Sequence, residues 1–158
     1  MLLTEGLSGA NSAAGAGLAV VVAALWGVAP ALYKRVLARI SPKSLVVFYS
    51  LIVAVFCGAW AWTFRSDVAA DFRRMRASDW ALVAVSAGAA GFLANVLYIY
   101  LIKAYDTHWV VGLAYTAPLF AAALAWFWIG ERVTPLAGLG LALIAVGALL
   151  LVAGHDGR

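Results

Sequence analysis

The stretch "WFWIGERVTPLAG", residues 126–138, sets Glu131 and Arg132 side by side between two long apolar blocks. Gly130 lets one helix end. Glu131 and Arg132 keep the chain in water, and Thr134-Pro135 starts the next helix, with proline where its missing N–H costs nothing. The stretch therefore predicts a reversal at a membrane surface between two spanning helices.

Composition extends that expectation to the whole chain. Of 158 residues, 66% are hydrophobic and 11% charged, with a mean hydropathy of +0.98. A soluble domain is typically about a quarter charged and about half apolar. The charges cluster in Lys34–Lys43, Arg65–Asp79, Lys103–Asp106, Glu131–Arg132 and Asp156–Arg158, with Glu5 near the start. Between clusters the chain stays nearly uncharged for about 20 residues, the length that crosses a bilayer as a helix. A single cysteine, Cys57, excludes a disulfide framework and a cysteine-based metal site. The opening "MLLTEGLSGANSAAGAG" lacks a basic segment ahead of its apolar run, so it does not read as a secretory signal. Residues 1–14 are expected to form a mobile leader, 15–154 the membrane domain and 155–158 a short tail.

Five spans are expected, at 15–36, 44–64, 79–102, 108–129 and 134–153. Ser41-Pro42, Asp79, Thr107 and Thr134-Pro135 place capping chemistry at the start of the last four. Trp60, Trp62, Trp80, Trp109, Trp126 and Trp128 lie near span ends, where an amphipathic ring is at home. Trp26 lies deep in the first span. The longest connection, "RSDVAADFRRMRAS" (65–78), is expected as a solvated charged loop, with an amphipathic turn in the membrane interface as the alternative.

An odd number of spans puts the termini on opposite faces. One face then carries Arg65, Arg73, Arg74, Arg76 and Arg132; the other carries Lys34, Arg35, Arg39, Lys43, Lys103 and Arg158. Lysine and arginine bias sets orientation, and a bias of one is close to none. Two outcomes stay open: insertion both ways up, or a single orientation set by Lys34–Lys43 in the cytosol. The net charge of +4 fits attraction of basic loops to anionic lipid. No nucleic-acid motif is present.

Three stretches resemble the EamA domain of the drug/metabolite transporter superfamily: "ALWGVAPALYKRVLARISP" (24–42), "GFLANVLYIYLIKA" (91–104) and "APLFAAALAWFWIGERVTPLAGLGLALIAVGALLLV" (117–152). Their order, the five-span count and the length are similar to that domain over residues 17–153. The resemblance implies an all-α integral membrane fold of five transmembrane helices that forms one half-repeat of a transporter. "GLALIAVGA" (140–148) is also similar to the helix-pairing motif of the four-span small multidrug resistance family. Those relatives carry a glutamate in their first helix that exchanges protons for cationic drug. Here the first span, Gly15 to Tyr33, contains no acid, so that chemistry does not carry over.

The residues themselves offer candidates within this frame. Gly140, Gly147 and Gly154 recur every seven residues and present a smooth face where a helix of the same chain or of another can approach. In span three, Ala84, Gly88, Gly91, Asn95 and Tyr98 fall at helical spacing on one face. An amide at membrane depth needs a partner, so Asn95 is expected to face either a neighbouring helix or a solute. Pro118 frees the carbonyl of Ala114 and permits a bend in span four; Pro30 does the same in span one. Trp26 and Tyr115 can present π-faces to an organic or cationic solute, or simply pack. Lys34 and Lys103 end spans one and three and are expected to snorkel; Glu131 serves topology.

No HExxH, carboxylate cluster, Cys/His ligand pair or nucleotide loop is present, and His108 reads as interfacial. The chain is therefore not expected to be an enzyme or to need a cofactor or metal. The expected function is transport of a small organic solute by alternating access. The expected substrate-binding residues are Trp26, Asn95, Tyr98 and Tyr115. A lone five-span unit requires a second half, supplied by a homodimer, antiparallel if both orientations occur, or by a related five-span chain. A non-transporting membrane subunit or regulatory partner, and a flippase component gripping a lipid-linked sugar phosphate, are the alternatives.

Overall fold

The computed structural model describes residues 12–155, which are helical except at short connections. The helices are α1 (Ser12–Leu37), α2 (Pro42–Thr63), α3 (Arg65–Arg74), α4 (Ala77–Ala104), α5 (Thr107–Ile129) and α6 (Pro135–His155). All but α3 are long and apolar enough to cross a membrane, and they match the five expected spans to within a few residues. The chain is an integral, multi-pass membrane protein. The leader and tail lie almost wholly outside the described residues, and helix is already present at Ser12.

The reversal after α5 forms as its residues predict. Gly130 adopts a left-handed φ of 77°, the only positive φ among the described residues, which glycine accepts without the Cβ clash other residues meet. The Glu131 amide then donates back to Ala125 O at 3.1 Å. Thr134 caps α6, its Oγ1 accepting from the Ala137 amide at 3.2 Å. Ser41 caps α2 in the same way through the Ser44 amide, also at 3.2 Å. The other two caps differ from expectation. Helix α4 starts two residues early, so Asp79 sits in its first turn and accepts the Arg76 amide at 2.8 Å. Helix α5 is preceded by Asp106, and its first residue Thr107 makes no cap.

The 65–78 connection corrects the expectation of a plain loop: Arg65–Arg74 is a ten-residue helix. Ala69 and Ala70 favour it, while Asp67 in the first turn and Arg73 and Arg74 in the last complement the helix dipole.

Two spans depart from regular α-helix. In α4, Ala87–Leu93 is π-helical, so each of those residues turns through less than the ~100° of an α-helix. The expected stripe from Ala84 to Tyr98 is therefore broken: Asn95 and Tyr98 remain neighbours, while Ala84 and Gly88 rotate away from them. Helix α5 is interrupted at Tyr115–Thr116, between Thr107–Ala114 and Ala117–Leu124, with Pro118 in the first turn of the second piece. Helix α1, by contrast, runs unbroken through Pro30.

The chain divides into two compact units: Tyr33–Ala104, and the remainder, comprising the part up to Leu32 and the part from Tyr105 onward. In the first, Leu37, Leu45, Val46, Ile99 and Ile102 are buried where the end of α1, the start of α2 and the end of α4 meet. In the second, α5 packs on α6 and Val110 is buried. Most other apolar side chains are exposed. Lipid tails solvate such side chains as well as a protein core does, so spanning helices need not bury them.

Candidate functional site

In the Tyr33–Ala104 unit, polar side chains gather beside the buried core. Tyr33 lies eight residues before Ser41 and Tyr49 eight after it, so a helical hairpin brings them to the same depth. Their rings meet edge to face, with centroids 5.8 Å apart and planes at 83°. Tyr33 interacts electrostatically with both Tyr49 and Tyr98. Tyr98 lies one turn from Asn95 on α4, and both are half-buried. The Asn95 side chain makes no hydrogen bond among the described residues.

Two lysines bind this unit together at the helix ends. Lys34 Nζ of α1 donates to Ile102 O of α4 at 2.8 Å, and Lys103 Nζ of α4 donates to Leu37 O of α1. Both acceptors lie among the last four carbonyls of their helices, which have no partner within the helix. Each ammonium also offsets the negative end of the opposing helix dipole. The two lysines thus do more than the snorkelling expected of them.

The second unit holds Trp26, which is 70% exposed, and Tyr115, 40% exposed at the break in α5. Thr116 Oγ1 donates to Leu113 O at 2.7 Å, which satisfies one carbonyl at the interruption. An apolar groove of about 320 Å³ runs between α5 and α6, lined by Leu113, Thr116, Leu119, Phe120, Ala145, Ala148, Leu149 and Val152. At Gly112 of α5 the Leu151 side chain of α6 comes close, and an added Cβ would collide with Leu151 Cδ1. No neighbour lies within 4 Å of the place a Cβ would take at Gly140 or Gly147. Among the described residues, Gly112 is therefore the glycine that a neighbouring helix of the same chain packs against, and the α6 row stays open.

Of the four expected solute-binding residues, Asn95 and Tyr98 fall together in one unit, and Trp26 and Tyr115 belong to the other. Tyr33 and Tyr49 join the first pair and escaped the sequence reading. Their equal distance from Ser41 was the available signal. The cluster offers an amide, hydroxyls and aromatic faces, which suit an organic solute that hydrogen-bonds. Among the described residues no group of His, Cys, Asp and Glu could hold a metal.

No curated protein and no solved structure matches the chain. The model of the EamA-like transporter family matches residues 13–153 and takes in all five spanning helices. With five spans in place, a polar group within one unit and a discontinuous α5, the chain belongs to the EamA-like transporter family and is a membrane transporter of the drug/metabolite transporter superfamily.

Proposed function

We propose that this chain is one half of a carrier that moves a small organic solute by alternating access as a dimer of five-span units. The observation that carries this is Asn95, an amide within a spanning helix with no hydrogen-bond partner among the described residues. An unpaired amide at membrane depth costs a few kcal/mol, so a solute, cavity water or a second subunit has to meet it. Asn95 fixes the solute by its amide. Tyr98, backed by Tyr33 and Tyr49, supplies a hydroxyl and an aromatic wall. The interruption at Tyr115–Thr116 lets the halves of α5 tilt separately as access alternates.

Such a carrier needs a second set of five spans. The near-balanced Lys and Arg counts support two copies inserted in opposite orientations, and a related five-span chain would serve in the same way. The test is solute flux in proteoliposomes screened with a metabolite panel. Native chain should accumulate at least one solute, and Asn95→Leu should abolish its movement while remaining folded. Equal flux in Asn95→Leu would refute the proposed role of Asn95. A reporter fused after Arg158 should signal from both sides of the membrane. Signal from one side alone would exclude the antiparallel homodimer and leave the heteromeric carrier.

A further inference from the structure

Helix α3 is joined to two spanning helices by very short links: Phe64 alone at one end, Met75 and Arg76 at the other. It therefore cannot leave the bilayer surface. Phe64, Val68, Phe72 and Met75 recur at four- and three-residue spacing and form one stripe along it. Phe64 is 40%, Val68 45% and Phe72 64% exposed, so the described residues leave much of that stripe uncovered. An apolar stripe this exposed would be costly in water.

Its surroundings are those of a membrane interface. The Phe64 ring lies 4.7 Å from that of Trp60, and Phe72 meets Trp80 edge to face at 5.2 Å. The Arg65 guanidinium stands 5.6 Å from the Trp62 ring. Indole rings at span ends settle at headgroup level, and these contacts hold α3 at that depth. Apart from Ala69 and Ala70, the rest of the helix is polar. Arg73, Arg74 and Arg76 crowd its C-terminal end, and the one ion pair there, Arg74 with Asp71 at 4.0 Å, is largely exposed. A pair so exposed does not hold an arginine away from other anions.

We propose that α3 is a lipid-binding surface: it lies in the headgroup layer with Phe64, Val68 and Phe72 toward the acyl chains, and Arg73, Arg74 and Arg76 bind the phosphates of anionic phospholipid. The occupant follows from the tether at both ends, which makes the bilayer the neighbour of the stripe, and from the charge of the three arginines. The inference is independent of which solute the chain carries.

The test uses the full chain in nanodiscs of phosphatidylcholine, alone or mixed equally with phosphatidylglycerol. Spin labels are placed at Val68→Cys, Phe72→Cys and Ser66→Cys in a Cys57→Ser background. Labels at 68 and 72 should be several-fold more accessible to oxygen than to a water-soluble nickel chelate, with the reverse at 66. Spin-labelled phosphatidylglycerol should be immobilised several-fold more than spin-labelled phosphatidylcholine. That preference should fall to parity when Arg73, Arg74 and Arg76 are all replaced by glutamine. Chelate access at 68 and 72 equal to that at 66 would overturn the proposal, because the stripe would face water. Shielding of 68 and 72 from both agents would also overturn it, since a second copy would then cover them. So would a preference that is absent from the native chain or survives the triple replacement.

Discussion

Lys34 and Lys103 each serve the other's helix. Lys34 donates to Ile102 O at 2.8 Å, and Lys103 donates to Leu37 O. The exchange ties the end of α1 to the end of α4 beside buried Leu37, Ile99 and Ile102. It also places a cation at each of two carbonyl-rich helix ends.

Replacing either lysine with methionine keeps the stem but frees a carbonyl that water can only partly satisfy. Lys34→Met and Lys103→Met are each expected to cost about 1 kcal/mol, since Lys34 is exposed and a charged hydrogen bond contributes about 1.5–3 at most. The double variant should cost roughly the sum, because each lysine has its own acceptor. Thermal unfolding in detergent measures all three.

At Gly112 a small substitution should be tolerated better than a branched one. Leu151 Cδ1 is the flexible end of a side chain and can rotate away from a methyl group. Gly112→Val is expected to cost about 1–3 kcal/mol through overpacking, and Leu151→Ala in the same chain should recover part of that. Unfolding midpoints of the single and double variants decide it.

The α6 row gives the opposite expectation for the isolated chain. With nothing within 4 Å of a Cβ at Gly140 or Gly147, alanine there should raise helix stability by up to about 1 kcal/mol. If a second subunit closes on this face, Gly147→Leu should lower the dimer fraction in cross-linking while helical content is unchanged.

The Gly130 reversal should be sensitive on both sides. Gly130→Ala forces an L side chain into φ 77°, at about 1–2 kcal/mol. Thr134→Ala removes the bond to the Ala137 amide, at about 1 kcal/mol. Both should lower the unfolding temperature without altering the number of spans seen in a topology assay.

For Asn95, stability and activity should move in opposite directions. Leucine at this position removes an amide that has no partner among the described residues, so Asn95→Leu should be neutral or stabilising. Flux should be lost. Asn95→Gln should keep some flux, and paired melting and transport assays read both effects.

The five spans, their caps at Ser41 and Thr134 and the Gly130 turn were all legible in residue order, because backbone in lipid must bond within its own segment. Span boundaries follow from local hydropathy, and turn chemistry follows from one or two residues. Asn95 and Tyr98 were also visible, as polar groups where polarity is costly.

Tertiary structure decided what depends on two distant segments or on helix phase. The Lys34–Ile102 and Lys103–Leu37 bonds join positions more than sixty residues apart, and no local pattern encodes that pairing. Tyr33 and Tyr49 became one cluster only when α1 and α2 folded back at Ser41. The π-helical run Ala87–Leu93 turned Ala84 and Gly88 off the face of Asn95, since hydrogen-bond register there departs from the spacing that ideal helices impose. Helix α3 emerged from a charged connection because its stripe is only three turns long, and so short a helix is marginal in water without a surface to lie against.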